Sequence, residues 1–198
     1  MLKRICVYCG SGVGGQDVYA DAAQALGRAL VERGVGLVFG GGRIGMMGVL
    51  AETVLQGGGE AIGVIPRDLM DRGLGLTTAT SLRVVETMHA RKALMAELAD
   101  GFIAMPGGFG TAEEFFEALT WAQLGLHTKP CSLLNVKGYF DHLIRFIDHA
   151  VEQQFIDAAH RALLLVDDSP EALLDKLVSW KPPAVDKATW ATRLMKGD

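Results

Sequence analysis

The fold is indicated most clearly by the stretch Gly36-Leu37-Val38-Phe39-Gly40-Gly41-Gly42-Arg43-Ile44-Gly45. A short apolar run of strand length ends here in a cluster of glycines, and a segment with helical periodicity follows. A strand, a glycine turn and a helix in this order are typical of a βαβ unit, in which the strands run parallel. The stretch therefore predicts a parallel sheet flanked by helices.

The same order recurs along the chain. Strands are predicted at 4–8, 36–39, 61–65, 83–86, 101–105, 131–135 and 163–166. Helices are predicted at 17–33, 45–56, 88–99, 112–124, 139–153 and 170–178. This alternation predicts an α/β fold, a Rossmann-like doubly wound parallel sheet in three α/β/α layers. We expect residues 1–180 to form one domain and residues 181–198 a C-terminal tail.

Two segments depart from this alternation. Residues 66–81 make an unusually long connection, so we expect a lid or a loop that selects the substrate. The tail contains Pro182, Pro183 and Trp190, and its sequence fits both a loose end and a packed terminal helix.

Charge and composition exclude several kinds of partner. The chain has a formal net charge of −4 and no block of Lys or Arg, whereas a nucleic-acid or anionic-membrane surface needs a basic stripe. No segment approaches the roughly 20 apolar residues of a membrane span. Residues 1–4 run into a predicted strand without a signal sequence. We therefore expect a cytoplasmic protein that binds a small molecule, with no nucleic-acid or membrane partner.

Three cysteines, Cys6, Cys9 and Cys131, are too few and too unevenly spaced for a disulfide framework. Cys6 and Cys9 form a C-x-x-C pair, which can serve redox chemistry or half of a zinc site, but no second pair lies nearby. No His, Asp or Glu cluster has the spacing of metal ligands. We therefore expect small buried residues here, and no metal.

Three glycine clusters each follow a predicted strand and precede a predicted helix. We term them the first, second and third glycine loops: Cys9-Gly10-Ser11-Gly12, Gly40-Gly41-Gly42-Arg43-Ile44-Gly45 and Pro106-Gly107-Gly108-Phe109-Gly110-Thr111. Glycine lets backbone N–H groups approach an anion at the positive end of a helix. A tight turn explains any single cluster equally well, but three along one sheet edge favour a phosphate-binding crevice.

Two common nucleotide motifs fit this chain poorly. The first and second glycine loops match G-x-G-x-x-G, as in dinucleotide-binding oxidoreductases. However, Phe39 is followed by Gly40, where an acidic residue should bind the ribose. A P-loop would need Lys after Gly45, and that position is Met46.

The third glycine loop continues into Ala112-Glu113-Glu114, and two interpretations stay open. A phosphate bound at 108–111 would lie close to Glu114, one helical turn away. Alternatively, Thr-x-x-Glu is a capping box, in which Thr111 and Glu114 only satisfy the first N–H groups of the helix.

Two adjacent cations, Arg91 and Lys92, lie near another predicted helix start, where Thr87 is a suitable N-cap. Cations at this end oppose the helix dipole, which favours an anion in the crevice. A solvated helix face is the ordinary explanation for such a pair.

With these motifs in order, the sequence resembles the LOG (Lonely Guy) family of cytokinin riboside 5′-monophosphate phosphoribohydrolases, often mislabelled lysine decarboxylases. The resemblance runs from about Ile5 to about Val178. It is carried by 40–48, by Met88-His89-Ala90-Arg91-Lys92, by the pattern P-G-G-x-G-T-x-x-E at 106–114, and by Leu119-Thr120-Trp121-Ala122-Gln123-Leu124-Gly125.

The resemblance implies a nucleotide-binding hydrolase domain of cytokinin biosynthesis. It would cut the N-glycosidic bond of a cytokinin or adenosine riboside 5′-monophosphate (AMP), releasing free base and ribose 5-phosphate without a cofactor. Arg91 and Glu114 would be the catalytic pair. Substrate contacts are expected from Lys92, Gly107, Gly108, Phe109, Gly110, Thr111, Thr120, Ser11 and Gly42. A homodimer is also implied, with the helix faces carrying Arg91 and residues 117–124 near the contact.

The chain departs from the family pattern at two positions. Gly12 stands where a second Ser often follows Ser11, and Arg43 replaces a small residue. Both departures affect the first two glycine loops and hence the preferred base.

Two other functions remain alternatives. Proteins similar to this fold carry nucleotides or molybdenum cofactor without hydrolysing them, although the presence of both Arg91 and Glu114 favours an enzyme. A decarboxylase would need a lysine that binds pyridoxal phosphate, and no lysine lies in a context that suggests one.

Overall fold

Seven parallel strands form the centre of the structure, a computed structural model that describes residues 2–183. They are β1 (Arg4–Tyr8), β2 (Gly36–Phe39), β3 (Ala61–Pro66), β4 (Ser81–Val85), β5 (Gly101–Ala104), β6 (Cys131–Leu134) and β7 (Leu164–Asp167). The order across the sheet is β4-β3-β2-β1-β5-β6-β7, and every pairing is parallel. The predicted parallel sheet is confirmed, with each strand within two residues of its predicted bounds.

Helices connect the strands. They are α1 (Asp17–Glu32), α2 (Gly45–Gln56), α3 (Arg67–Asp71), α4 (Met88–Leu98), α5 (Phe109–Gln123), α6 (Asp141–Glu152), α7 (Ala158–Arg161) and α8 (Pro170–Ser179), with a 3-10 turn at Val136–Gly138. All six predicted helices are present. Helix α3, which was not predicted, opens the 66–81 connection directly after Pro66, and the role of this connection as a lid or substrate-selecting loop stays a prediction.

The sheet separates two apolar cores. Side chains alternate along each strand, so neighbouring residues face opposite layers. One core joins strand residues such as Val7 and Leu37 to α1, α2 and α8 through Leu26, Leu50 and Leu173. The other joins strand residues such as Val38 and Phe102 to α4, α5 and α6 through Met95, Phe115 and Ile147. The predicted three-layer α/β/α fold is confirmed.

The order in which strands are added reverses at the centre of the sheet. From β1 the chain builds outward to β4, and helix α4 then carries it back to β5, on the other side of β1. The loops after β1 and β5 therefore diverge towards opposite layers and leave a crevice at the carboxyl ends of the strands. These loops are the first and third glycine loops, so the topology places both at this crevice.

All three cysteines are buried free thiols. Burial raises the pKa of the Cys9 thiol, and likewise that of Cys131, to about 12, so both stay protonated at neutral pH. The prediction of small buried residues is confirmed for these positions.

Residues 184–198, including Trp190 and most of the predicted tail, lie outside the described residues, as does Met1. Within 2–183, no helix is long and apolar enough to cross a membrane.

Candidate active site

A cavity of about 360 Å³ opens at the carboxyl ends of the central strands, between the loops after β1 and β5. This volume is in the range of small-molecule sites. The first and third glycine loops supply most of its lining, and further lining residues are Tyr19, Met46 and Tyr139. Of the predicted substrate contacts, Ser11, Gly107 and Gly108 face this cavity.

The first glycine loop lies between the other two. The Gly10 amide donates to the Pro106 carbonyl (3.1 Å) in the third loop. The carbonyls of Gly10 and Gly12 accept from the Met46 amide (3.1 and 3.2 Å), in the first turn of α2. At Gly45, where φ is +65°, a Cβ would collide with the Ser11 carbonyl. The Met46 amide, at the N-terminus of α2, is therefore already bound by protein backbone.

The second glycine loop holds the 66–81 connection. The Arg43 amide donates to the Leu74 carbonyl (2.9 Å), and the Arg43 Nε donates to the Gly73 carbonyl (2.7 Å). Gly42 forms an antiparallel bridge with Gly75. Gly42 does not line the cavity, although it was predicted to contact substrate. Arg43, one of the departures from the family pattern, thus fixes a neighbouring loop.

The third glycine loop leads into α5 without a capping box. Gly108 is the N-cap and provides no side-chain cap, because α5 begins at Phe109 and Thr111 already lies inside its first turn. A Cβ at Gly107 would collide with the Thr111 hydroxyl and lie 2.8 Å from the Gly10 amide, so glycine is needed there. Of the two interpretations that the sequence left open, the capping box is therefore excluded. The first N–H groups of α5 have no side-chain acceptor, as an anion site requires.

Arg91 and Glu114 form a buried ion pair at the same edge of the sheet. They are 7% and 8% exposed, and the Arg91 Nη1 donates to the Glu114 carboxylate. The Arg91 Nε donates to the Val64 carbonyl (3.1 Å) and its Nη2 to the Gly40 carbonyl (3.4 Å). The predicted N-cap Thr87 is confirmed, since its hydroxyl accepts from the Ala90 amide and starts the helix that carries Arg91.

Burial sets the electrostatics of this pair. It raises the pKa of Glu114, because an ionised carboxylate is poorly solvated there, while the charge and hydrogen bond of Arg91 act in the opposite direction. Glu114 is therefore more basic than an ordinary glutamate and still has a cation that stabilises its ionised form. These are the properties of a general base.

Comparisons with known proteins decide the family. A family model described as "Possible lysine decarboxylase" matches residues 47–177. The chain is 48% identical to the cytokinin riboside 5′-monophosphate phosphoribohydrolase LOG1 of Arabidopsis thaliana, over 96% of this chain and 90% of that protein. It is 46% identical to the probable cytokinin riboside 5′-monophosphate phosphoribohydrolase LOGL6 of Oryza sativa subsp. japonica, over 98% and 79% of the two chains. The chain belongs to the LOG family.

Solved structures share the fold of this LOG protein. The molybdenum cofactor carrier protein of Chlamydomonas reinhardtii matches with a TM-score of 0.69 and 22% identity, over 91% of this chain and all of that one. The molybdenum cofactor binding protein of Rippkaea orientalis matches equally well, over 90% and 97% of the two chains. At this identity the matches establish a common fold only.

The structure gives Lys92, a predicted nucleotide contact of the LOG family, two protein partners. Its side chain is 7% exposed, and its Nζ donates to the carboxylates of Glu113 and Glu117, the latter at 3.1 Å. Burial disfavours the ammonium, but these hydrogen bonds raise the pKa of Lys92. An amine held in this way is protonated and cannot form the imine that a pyridoxal-phosphate decarboxylase requires.

Thr120 lies apart from the glycine loops. It follows Gly110 by ten residues on α5, about 15 Å along the helix. It lines another cavity, of about 170 Å³, together with Phe116 and His160. Within one chain, Thr120 and the third glycine loop therefore do not face the same space. Phe109 belongs to the third glycine loop, but its side chain is 97% exposed and does not line the cavity.

Sequence reasoning missed Tyr19 and Tyr139 at the cavity. The Tyr139 hydroxyl donates to the Gly107 carbonyl (2.6 Å), and the two rings meet edge to face. The only sequence signal was an aromatic residue at the start of a predicted helix. A partner 32 positions away cannot be identified from that pattern. Within 2–183, no group of three His, Cys, Asp or Glu side chains could hold a metal ion.

Proposed function

We propose that this LOG-family chain hydrolyses the N-glycosidic bond of a riboside 5′-monophosphate and releases the free base and ribose 5-phosphate. The observation that carries the proposal is the buried Arg91–Glu114 pair beside the uncapped N-terminus of α5. The relatives from Arabidopsis thaliana and Oryza sativa are cytokinin riboside 5′-monophosphate phosphoribohydrolases by name. We extend this substrate class, together with AMP, to this chain.

The 5′-phosphate binds the first turn of α5, where Phe109, Gly110 and Thr111 present their N–H groups at the positive end of the helix. A Cβ built at Gly108 or Gly110 would meet no atom within 4 Å, so a dianion can approach the backbone closely. Glu114 lies five residues after Phe109, about 7.5 Å along the axis. A ribose anchored by its phosphate therefore reaches the Glu114 carboxylate.

Glu114 acts on the anomeric carbon and on water. As the bond between C1′ and the base nitrogen breaks, C1′ becomes oxocarbenium-like, and the nearby carboxylate stabilises it. Glu114 accepts a proton from the attacking water, whose oxygen joins C1′, and the proton ends on the departing base. Arg91, whose guanidinium is held by the Val64 and Gly40 carbonyls, fixes the Glu114 carboxylate by its own hydrogen bond and orients the substrate.

We also propose a homodimer in the cytoplasm. Leu124 and Leu126, at the end of α5, are 49% and 70% exposed, and Leu124 belongs to the predicted contact face. Large exposed apolar side chains that lie close together are typical of protein interfaces. The free thiols agree with a reducing compartment.

Product analysis tests the reaction. The purified protein is incubated with AMP and with isopentenyladenosine monophosphate, and free base and ribose 5-phosphate are separated by chromatography. Release from either substrate, abolished by Glu114→Ala, is the expected result. Measurable binding without release of base would contradict the proposal and favour a carrier. Relative rates on the two substrates would show which base is preferred.

A further inference from the structure

Lys92 follows Arg91 directly, yet the two cations point to different partners. Consecutive residues on a helix are about 100° apart, so they do not share a face. Arg91 reaches the sheet edge and Glu114, whereas Lys92 reaches Glu113 and Glu117 on α5. Helices α4 and α5 are therefore joined by two adjacent ion-pair groups, and one of them contains the Glu114 carboxylate.

The Lys92 group is a poor phosphate site. Two of the three ammonium donors are directed at carboxylates, and the side chain is almost inaccessible. One ammonium against two carboxylates leaves a formal charge of −1, which repels a dianion. Glu113 and Glu117 are one turn apart on one face of α5, so a single Lys92 can hold both.

Lys92 also shields Glu114 from its neighbour. Glu113 is adjacent to Glu114 in the chain, and its negative charge disfavours ionisation of Glu114, whereas the charge of Lys92 favours it. With Lys92 in contact with Glu113, part of that repulsion is offset. The geometry and the charges therefore assign the same role to this lysine.

We propose that Lys92 is a positioning residue that joins α4 to α5 through Glu113 and Glu117 and so holds Glu114 against Arg91. This inference rests on the proposed function, because Glu114 is the group that it positions. It replaces the direct nucleotide contact that the family resemblance implied for Lys92.

The test compares Lys92→Met and Lys92→Arg with Lys176→Met in the full chain. Lys176 on α8 also pairs with a carboxylate, Asp167, but is more exposed and lies outside the site, so it controls for the loss of a lysine charge. Three properties are measured: kcat and KM for AMP, inhibition by ribose 5-phosphate, and titration of the Glu114 carboxyl by ¹³C NMR. Glu117→Gln keeps the ammonium and serves if Lys92→Met does not fold.

A positioning role predicts a kcat effect. Lys92→Met should lower kcat by about tenfold or more with KM changed less than about threefold, raise the pKa of Glu114, and leave ribose 5-phosphate inhibition intact. Lys92→Arg should recover most of kcat, because a guanidinium can also bridge two carboxylates. Glu117→Gln should show the same kcat effect more weakly. Lys176→Met should resemble the unmodified protein.

The opposite pattern overturns the inference. If Lys92→Met raises KM about tenfold with kcat unchanged, and ribose 5-phosphate no longer inhibits, Lys92 binds phosphate directly. If the unmodified protein releases no base at all, the proposed function fails. The NMR titration needs no turnover and still decides about Lys92: a raised Glu114 pKa supports the positioning role, and an unchanged pKa overturns it.

Discussion

Helices α2 and α5 begin in the same way in sequence and differ in structure. Both follow a glycine loop at the carboxyl end of a strand, and neither has a side-chain cap. In α2, the Met46 amide is bound by the carbonyls of Gly10 and Gly12. In α5, no side chain or neighbouring loop takes this place among the described residues, and a buried carboxylate follows one turn later.

A glycine loop can bind an anion only if its N–H groups are left open, and this is why we assign the phosphate to the third loop. Glycine in the second loop allows close backbone packing, since Gly45 lies against Ser11 and Gly40 lies against Arg91. Glycine in the third loop leaves open space above Gly108 and Gly110. The second loop therefore packs against protein, whereas the third is the loop to which we assign the ligand.

The largest expected effect is on the chemistry at α5. Arg91→Met should lower kcat by about 100-fold or more, because Glu114 loses the cation that holds and ionises it. The same change should cost about 3–5 kcal/mol of unfolding free energy, since it leaves a buried carboxylate without a partner. Steady-state kinetics and denaturant unfolding measure the two effects. Arg33→Met removes the more exposed pair with Asp175 and should lower stability by about 1 kcal/mol or less.

Placing a carboxylate at the N-cap of α5 and, separately, of α2 tests whether the two helix N-termini differ in ligand binding. Gly108→Asp should cap α5 and stabilise the protein by up to about 1 kcal/mol. It should also raise KM for AMP by about tenfold or more, because its charge occupies the phosphate position. Ile44→Asp, at the N-cap of α2, should leave KM within about twofold. Equal KM effects in the two variants would show that the helices do not differ in ligand binding.

The pH dependence sharpens the assignment of Glu114. Burial raises its pKa, so this carboxyl binds its proton more tightly than an ordinary glutamate, whose pKa is about 4.3. Because the ionised form acts as base, kcat should fall as the pH drops through the raised pKa, above the usual range of a glutamate. ¹³C NMR of the ligand-free protein locates the same titration and avoids ionisation of the substrate phosphate. A carboxyl that titrates as an ordinary glutamate would contradict the buried base.

The smallest effect is expected at the second glycine loop. Arg43→Ala removes the hydrogen bond to Gly73 and should lower stability by about 1 kcal/mol, with kcat for AMP nearly unchanged. KM should change by no more than about threefold. Thermal unfolding and kinetics check both values. A large loss of kcat would place the second loop in the catalytic machinery.

The sequence predicted the sheet well because each strand carries its own local signal. Apolar runs such as Leu37–Phe39 end in glycine, and the helices between them repeat with a clear period. The start of α5 was missed because Gly108 and Gly110 are poor helix formers, and the pattern Thr-x-x-Glu suggested a later start. Local patterns cannot show that Thr111 is already inside the helix.

The site was predicted less completely, since its contacts span long distances in the chain. The residues Arg91 and Glu114 are 23 positions apart, and Lys92 and Glu117 are 25 apart. Which cation meets which carboxylate depends on how α4 packs on α5. The resemblance singled out all three of Arg91, Lys92 and Glu114 but not this pairing. It also grouped Thr120 with the glycine loops, from which the length of α5 separates it.

The most direct test of the account is a crystal structure of Glu114→Gln with AMP. This variant should bind the nucleotide and cleave it too slowly to lose it. We expect the phosphate within hydrogen-bonding distance of the amides of residues 109–111, with C1′ beside the side chain at position 114. A phosphate seated on the second glycine loop, or a C1′ remote from position 114, would contradict it.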